Sequence, residues 1–150
     1  MLKTLRILTA ALSLAFAGAC GMFHHTESAS FLIPGSAQVL TLQRSPVHPF
    51  KPRFERLLIL SADNKPVSRL ALFPDLDGNV RVNAYLATDS LVLLEDRDDH
   101  YAVDLVGNTI LRRDKKAARP EGSKFLGAFD LDRHRQWRFI PATERQEIRY

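Results

Sequence analysis

The sequence predicts an all-β fold: an antiparallel meander of about seven to nine strands forming a small barrel or a sandwich. Three observations predict it. From residue 31 onward apolar residues recur at every second position, and short turn signals separate the alternating runs. No segment beyond the first twenty residues carries a three-to-four-residue apolar period over about eleven positions.

In chain order, the first strands read as Val39 to Gln43, Phe54 to Ser61 and Ser68 to Phe73. Next, Val80, Val82, Ala84 and Leu86 alternate with Arg81, Asn83 and Tyr85, which gives a strand with one buried face. Leu91 to Glu95 follows, then Tyr101, Val103 and Leu105 alternating with Ala102 and Asp104, then Thr109 to Arg113, Lys124 to Phe129 and Gln136 to Ile140. The turns between them are Asp63 to Pro66, Pro74 to Gly78, Thr88-Asp89, Asp96 to Asp99 and Gly107-Asn108. Asp77-Gly78 and Gly107-Asn108 supply the positive φ of tight hairpins, and loops this short join antiparallel neighbours. Helical possibilities are confined to Asp114 to Arg119 and to Ala142 to Tyr150, where Thr143 is a possible cap. Pro46, Pro49 and Pro52 fall every third residue, favouring an extended polyproline-like segment that serves as a stiff connector or as a docking site for an aromatic groove.

The first twenty residues differ from the rest. Lys3 and Arg6 precede an apolar stretch, Ile7 to Ala19, broken only by Thr9 and Ser13 and ending in small residues. It is shorter than the roughly 18 to 20 residues that span a bilayer as a helix, so it reads as a secretory signal. Its end, Ala17-Gly18-Ala19-Cys20, resembles the lipobox of bacterial lipoproteins, although Ala17 stands where that family usually has Leu. The resemblance implies cleavage before Cys20, acylation of its thiol and, with Gly21 rather than Asp next, sorting to the periplasmic face of the outer membrane. The same residues also form an A-x-A site whose cleavage would leave a soluble periplasmic protein. The expected organisation is therefore a cleaved signal at 1–19, a lipidated Cys20 with a flexible tether through residue 30, and one β-rich domain at 31–150.

Composition sets further bounds. The 150 residues are 45% hydrophobic and 25% charged, an ordinary globular balance, and one Cys excludes an intrachain disulfide or a cysteine zinc cage. The formal charge of +4 is too small to argue for nucleic acid, an unexpected partner for an exported protein. The charge is uneven, however: residues 61–110 sum to −5 and residues 111–150 to +5.

Arg112, Arg113, Lys115, Lys116 and Arg119 cluster ahead of Pro120, while Arg133, His134, Arg135 and Arg138 surround Trp137. These cations are candidate contacts for lipid head groups, an anionic envelope polymer such as lipopolysaccharide, or an acidic protein face. The competing expectation for Trp137 and Phe139 is that they share a strand face and point into the core. Glu95 to Asp99 and Asp75 to Asn79 match no calcium loop and read as solvated turns. His24 and His25, with Glu27 and an unacylated Cys20, would make a weak copper or zinc site. His100, near Asp98, Asp99 and Asp104, would be the base of an enzyme. No nucleophile elbow, paired metal-ligand His or phosphate loop accompanies them, and no cofactor is implied. The expectation is a non-enzymatic, lipid-anchored binding or accessory module of the bacterial envelope. The alternatives are a periplasmic hydrolase or metal-dependent enzyme centred on His100, and an inhibitor of a lytic enzyme.

Overall fold

The computed structural model describes residues 25–149, and the signal, Cys20 and residues 21–24 lie outside the described residues. Ten antiparallel strands form two sheets that pack as an unclosed sandwich, with no helix among the described residues. The first sheet is β1 (Glu27–Leu32), β2 (Val39–Pro46), β3 (Phe54–Ala62) and β4 (Lys65–Asp75), in that spatial order. The second contains β5 (Val82–Thr88), β6 (Leu91–Glu95), β7 (His100–Asp104), β8 (Thr109–Arg113), β9 (Lys124–Leu131) and β10 (Trp137–Pro141), in the order β10-β9-β5-β6-β7-β8.

The period-two pattern buries one face of each sheet. Leu40 and Leu42 of β2, Leu58 and Leu60 of β3, and Val82, Ala84, Val92, Leu94, Tyr101 and Val103 of the second sheet form the shared core. Trp137 joins them, and its Nε1–H donates to the Leu42 carbonyl at 3.1 Å, linking the sheets. Phe31, Phe129 and Phe139 pack together beside it, Phe31 and Phe139 being stacked 4.0 Å apart. The core-facing expectation for Trp137 and Phe139 therefore holds.

Five expectations are corrected. β1 begins at Glu27, inside the stretch expected as tether, because its Ala29 and Phe31 pair with β2 and bury against the core. The meander is interrupted twice: β4 and β5 lie in different sheets, and residues 114–123 cross from the β8 edge to β9, which pairs with β5 and β10. Arg81, just before β5, and Asn83 and Tyr85 on it are buried rather than solvated, since both faces of this central strand are covered. The prolines make no straight segment: Pro46 pairs with Phe54 across a hairpin, closed by a Val47 N–H to Arg53 carbonyl bond of 2.9 Å. Neither helical possibility materialises; residues 114–117 and 141–145 are isolated turns.

Antiparallel register gives the sandwich two distinct ends. One gathers the start of β1, the β2–β3 loop (47–53), the β4–β5 loop, the β6–β7 turn (96–99) and the β9–β10 turn (132–136). The opposite end carries the β1–β2, β3–β4, β5–β6 and β7–β8 turns, the first and last joined where Gln38 Nε2 donates to the Leu105 carbonyl and Asn108 Oδ1.

Candidate functional site

Three regions bring chemically capable side chains together. The first lies at the chain-start end, where β3 faces the β6–β7 turn. Period two from Leu58 and Leu60 turns Arg56 inward, and there its Nη2 meets Asp96 Oδ2 at 3.0 Å with both side chains at most 3% exposed. Arg56 Nε donates to the Phe73 carbonyl, whereas buried Nη1 has no acceptor among the described residues. Asp96 Oδ1 accepts the Asp98 and Asp99 amides at 2.8 and 2.7 Å, so one carboxylate both builds the turn and neutralises the guanidinium.

Arg56 borders two clefts. One, of about 440 Å³, is walled by Gln43, Ser45, Glu55, Leu57 and Ala71. The other, of about 240 Å³, lies between Phe73, Leu76 and the Asp96–Asp99 turn. Burial, aided by the negative charge of Asp96, pushes the Asp99 carboxyl above its ordinary value, while Arg56 and Arg112 oppose the shift. Burial likewise raises the Tyr101 phenol to about 12; its oxygen receives the Phe73 N–H.

The acidic hairpin tip therefore does adjoin a cleft, but His100 is not one of its wall residues. It sits in β7 opposite Glu95 and Arg113, its Nδ1 buried and without a hydrogen-bond partner among the described residues. Asp75 behaves as Asp96 does, its two oxygens accepting the Asp77, Gly78 and Val80 amides. Among the described residues no group of three or more His, Cys, Asp or Glu is placed to hold a metal ion.

The second region is the outer face of the six-stranded sheet. The crossover lays the Arg119 guanidinium over the Tyr85 ring at 3.7 Å and pairs it with Glu95 and Glu147. The C-terminal segment is strapped down through bonds from Arg81 to the Gln146 carbonyl, from Asn83 to the Ile148 carbonyl, and from Tyr85 Oη to Glu147. Burial raises Tyr85 to about 12. Burial also acts to raise Glu147, but the hydrogen bonds from Tyr85 and Arg119 outweigh it and leave its pKa lowered. Arg81, Asn83, Tyr85, Arg119 and Glu147 are each matched to a group of the same chain, which is the signature of a structural network.

The third region is the predicted basic surface, which divides. Arg112, Arg113, Lys115 and Lys116 leave β8, whereas Arg133, Arg135 and Arg138 surround the β9–β10 turn at the other edge of the same sheet. Five strand spacings separate these edges, about 24 Å along the sheet. Several of the cations are engaged within the fold. Arg112 stacks on Phe73 and reaches the Ala71 carbonyl, Arg113 bonds the Ala118 carbonyl, and Lys115 bonds the Arg97 carbonyl. Arg138 is shared by Asp132 and Glu144. Lys116, Arg133 and Arg135 remain exposed. The guanidinium beside the Trp137 indole belongs instead to buried Arg44, 4.5 Å from both the Trp137 and Phe54 rings and paired with Glu27.

No family model, no curated protein and no solved structure matches the chain.

Proposed function

We propose that the chain is a lipid-anchored protein of the bacterial envelope. In this reading it is exported by residues 1–19, acylated on Cys20 and held at the periplasmic face of the outer membrane, with the sandwich acting as a non-enzymatic binding or accessory module. The observation that carries the reading is the position of the chain's single Cys. It closes a lipobox-like sequence and lies five residues before His25, from which the chain runs directly into β1. An acyl group there acts on the folded domain through a short lead, and several chains on one residue suffice for stable attachment without a spanning segment.

Binding rather than catalysis is supported by how the titratable groups are used. Asp75, Asp96 and Asp132 cap turns, and Asp96 also neutralises Arg56. The two clefts that flank Arg56 offer concave surface for a partner. A hydrolase centred on His100 has less support, because the walls of the adjoining cleft are built from other residues.

Membrane fractionation of the native host tests the reading. The wild-type chain is expected in the outer-membrane fraction after a high-salt wash, and Cys20→Ala in the soluble periplasm. Equal distribution of the two would overturn the anchor.

A further inference from the structure

The chain-start end of the sandwich has an uneven surface. Around the point where β1 begins lie the β2–β3 loop on one side and the β9–β10 turn on the other. The loop reads Val47-His48-Pro49-Phe50-Lys51-Pro52-Arg53 and contains no carboxylate. Phe50 is 88% and Val47 51% exposed. This loop is held in place: Val47 N–H bonds the Arg53 carbonyl, and Pro52 packs so closely against Gly78 that a side chain at 78 would lie 2.8 Å from the proline Cβ. The fold therefore presents a large aromatic side chain to solvent from a braced loop.

The β9–β10 turn supplies the complement. Asp132 accepts the His134 and Gln136 amides, fixing the turn and projecting Arg133 and Arg135 outward; Arg135 lines a depression with His25 and Thr26. Lys51 and Arg53 are exposed on the other side. Most carboxylates at this end are already matched, Glu27 by Arg44, Asp132 by Arg138, and Asp77 and Asp98 by Arg97, while half-buried Asp99 and exposed Glu55 flank the patch.

We infer that this end is a membrane-contacting surface. Phe50 and Val47 enter the headgroup region, and Lys51, Arg53, Arg133 and Arg135 meet the anionic lipids of the leaflet that holds the Cys20 acyl chains. The inference rests on the anchored reading and deepens it by fixing the orientation of the domain. The occupant follows from chain length and charge. Cys20 precedes His25 by five residues, which even fully extended reach only about 17 Å. The end where β1 starts is thus kept within reach of the bilayer. The opposite end, marked by Val106, lies about 30 Å further out, the length of nine-residue β3. Exposed aromatic side chains ringed by Lys and Arg are the composition that binds an anionic interface.

The test uses the full chain purified from host membranes and reconstituted into vesicles of phosphatidylethanolamine and phosphatidylglycerol bearing nitroxide-labelled acyl chains. A polarity-sensitive fluorophore is placed on Phe50→Cys or, separately, on Val106→Cys. Acylation is first verified by mass, and folding by the emission of buried Trp137. Quenching at 50 with none at 106, lost when Lys51, Arg53, Arg133 and Arg135 are all replaced by Glu, is the expected result. If Phe50→Cys fails to fold, Val47→Cys carries the same label. An acylated, vesicle-bound protein with no quenching at 50, or with equal quenching at both positions, overturns the orientation and leaves the anchor standing. A chain that carries no acyl mass and stays off the vesicles overturns the anchor and the orientation with it.

Discussion

Arg56 and Asp96 form a 3.0 Å ion pair across the two sheets, with side chains 3% and 1% exposed. It joins β3 to the turn after β6 and is the one ion pair among the described residues with both partners so fully enclosed. Removing either charge strands the other in the interior. Arg56→Met or Asp96→Asn alone is expected to cost about 3–5 kcal/mol. The double variant should cost clearly less than the sum, because no uncompensated charge remains. Urea unfolding measures all three; additive losses would mean that the pair does not couple the sheets.

Trp137 is the only Trp in the chain, so its fluorescence reports one environment. Its indole donates to the Leu42 carbonyl and covers Arg44. Trp137→Phe keeps much of the apolar area but withdraws the donor from a buried carbonyl, and is expected to destabilise the domain by about 1–3 kcal/mol. Denaturation followed by circular dichroism checks this. Emission from the wild-type protein should be blue-shifted and should move red only on unfolding.

The C-terminal strap should respond to pH in two windows. The folded pKa of Glu147 lies below its ordinary value of 4.5, so its contribution is full above that value and is lost as pH falls through the folded value. The folded pKa of Tyr85 is raised to about 12 from 10.0, so its contribution is full below pH 10 and is lost as pH climbs toward 12. Protection factors, with the intrinsic pH dependence of exchange divided out, should therefore fall at 81–85 toward both extremes while those of the β2–β3 pairing hold. An equal fall in protection across both sheets would contradict the strap.

Gly127 sits in β9 at φ 144°, where any side chain would collide with the Ile140 carbonyl oxygen and the Phe139 ring. Gly127→Ala is expected to force β9 and β10 apart and to destabilise by several kcal/mol, about the scale of overpacking plus backbone strain. Gly35→Ala, with positive φ but open space, should cost less. A thermal melt comparing the two separates collision from strain.

The fold was legible wherever one strand face met water. β6 and β8 fall at their expected residues, and nearly all the others within two or three positions. β5 was misjudged in one respect: alternation assigns Arg81, Asn83 and Tyr85 to solvent, and only the non-local crossover and C-terminal segment explain their burial. β1 escaped notice because Ser28, Ser30 and Ala29 carry little apolar signal, although the chain there is held by six backbone pairings. Arg56 could have been found, since it continues the inward alternation of Leu58 and Leu60. That Asp96, forty residues away, would receive it has no linear signature. The basic residues were recognised as a group, but strand order then separates them to opposite edges of one sheet.

The central claim is that Cys20 carries lipid, and intact-mass spectrometry of the protein from native host membranes tests it most directly. The predicted result is a mature chain beginning at Cys20, heavier than its sequence by the mass of acyl groups, with that increment lost in Cys20→Ala. A soluble chain with an unmodified Cys20 thiol would contradict the account.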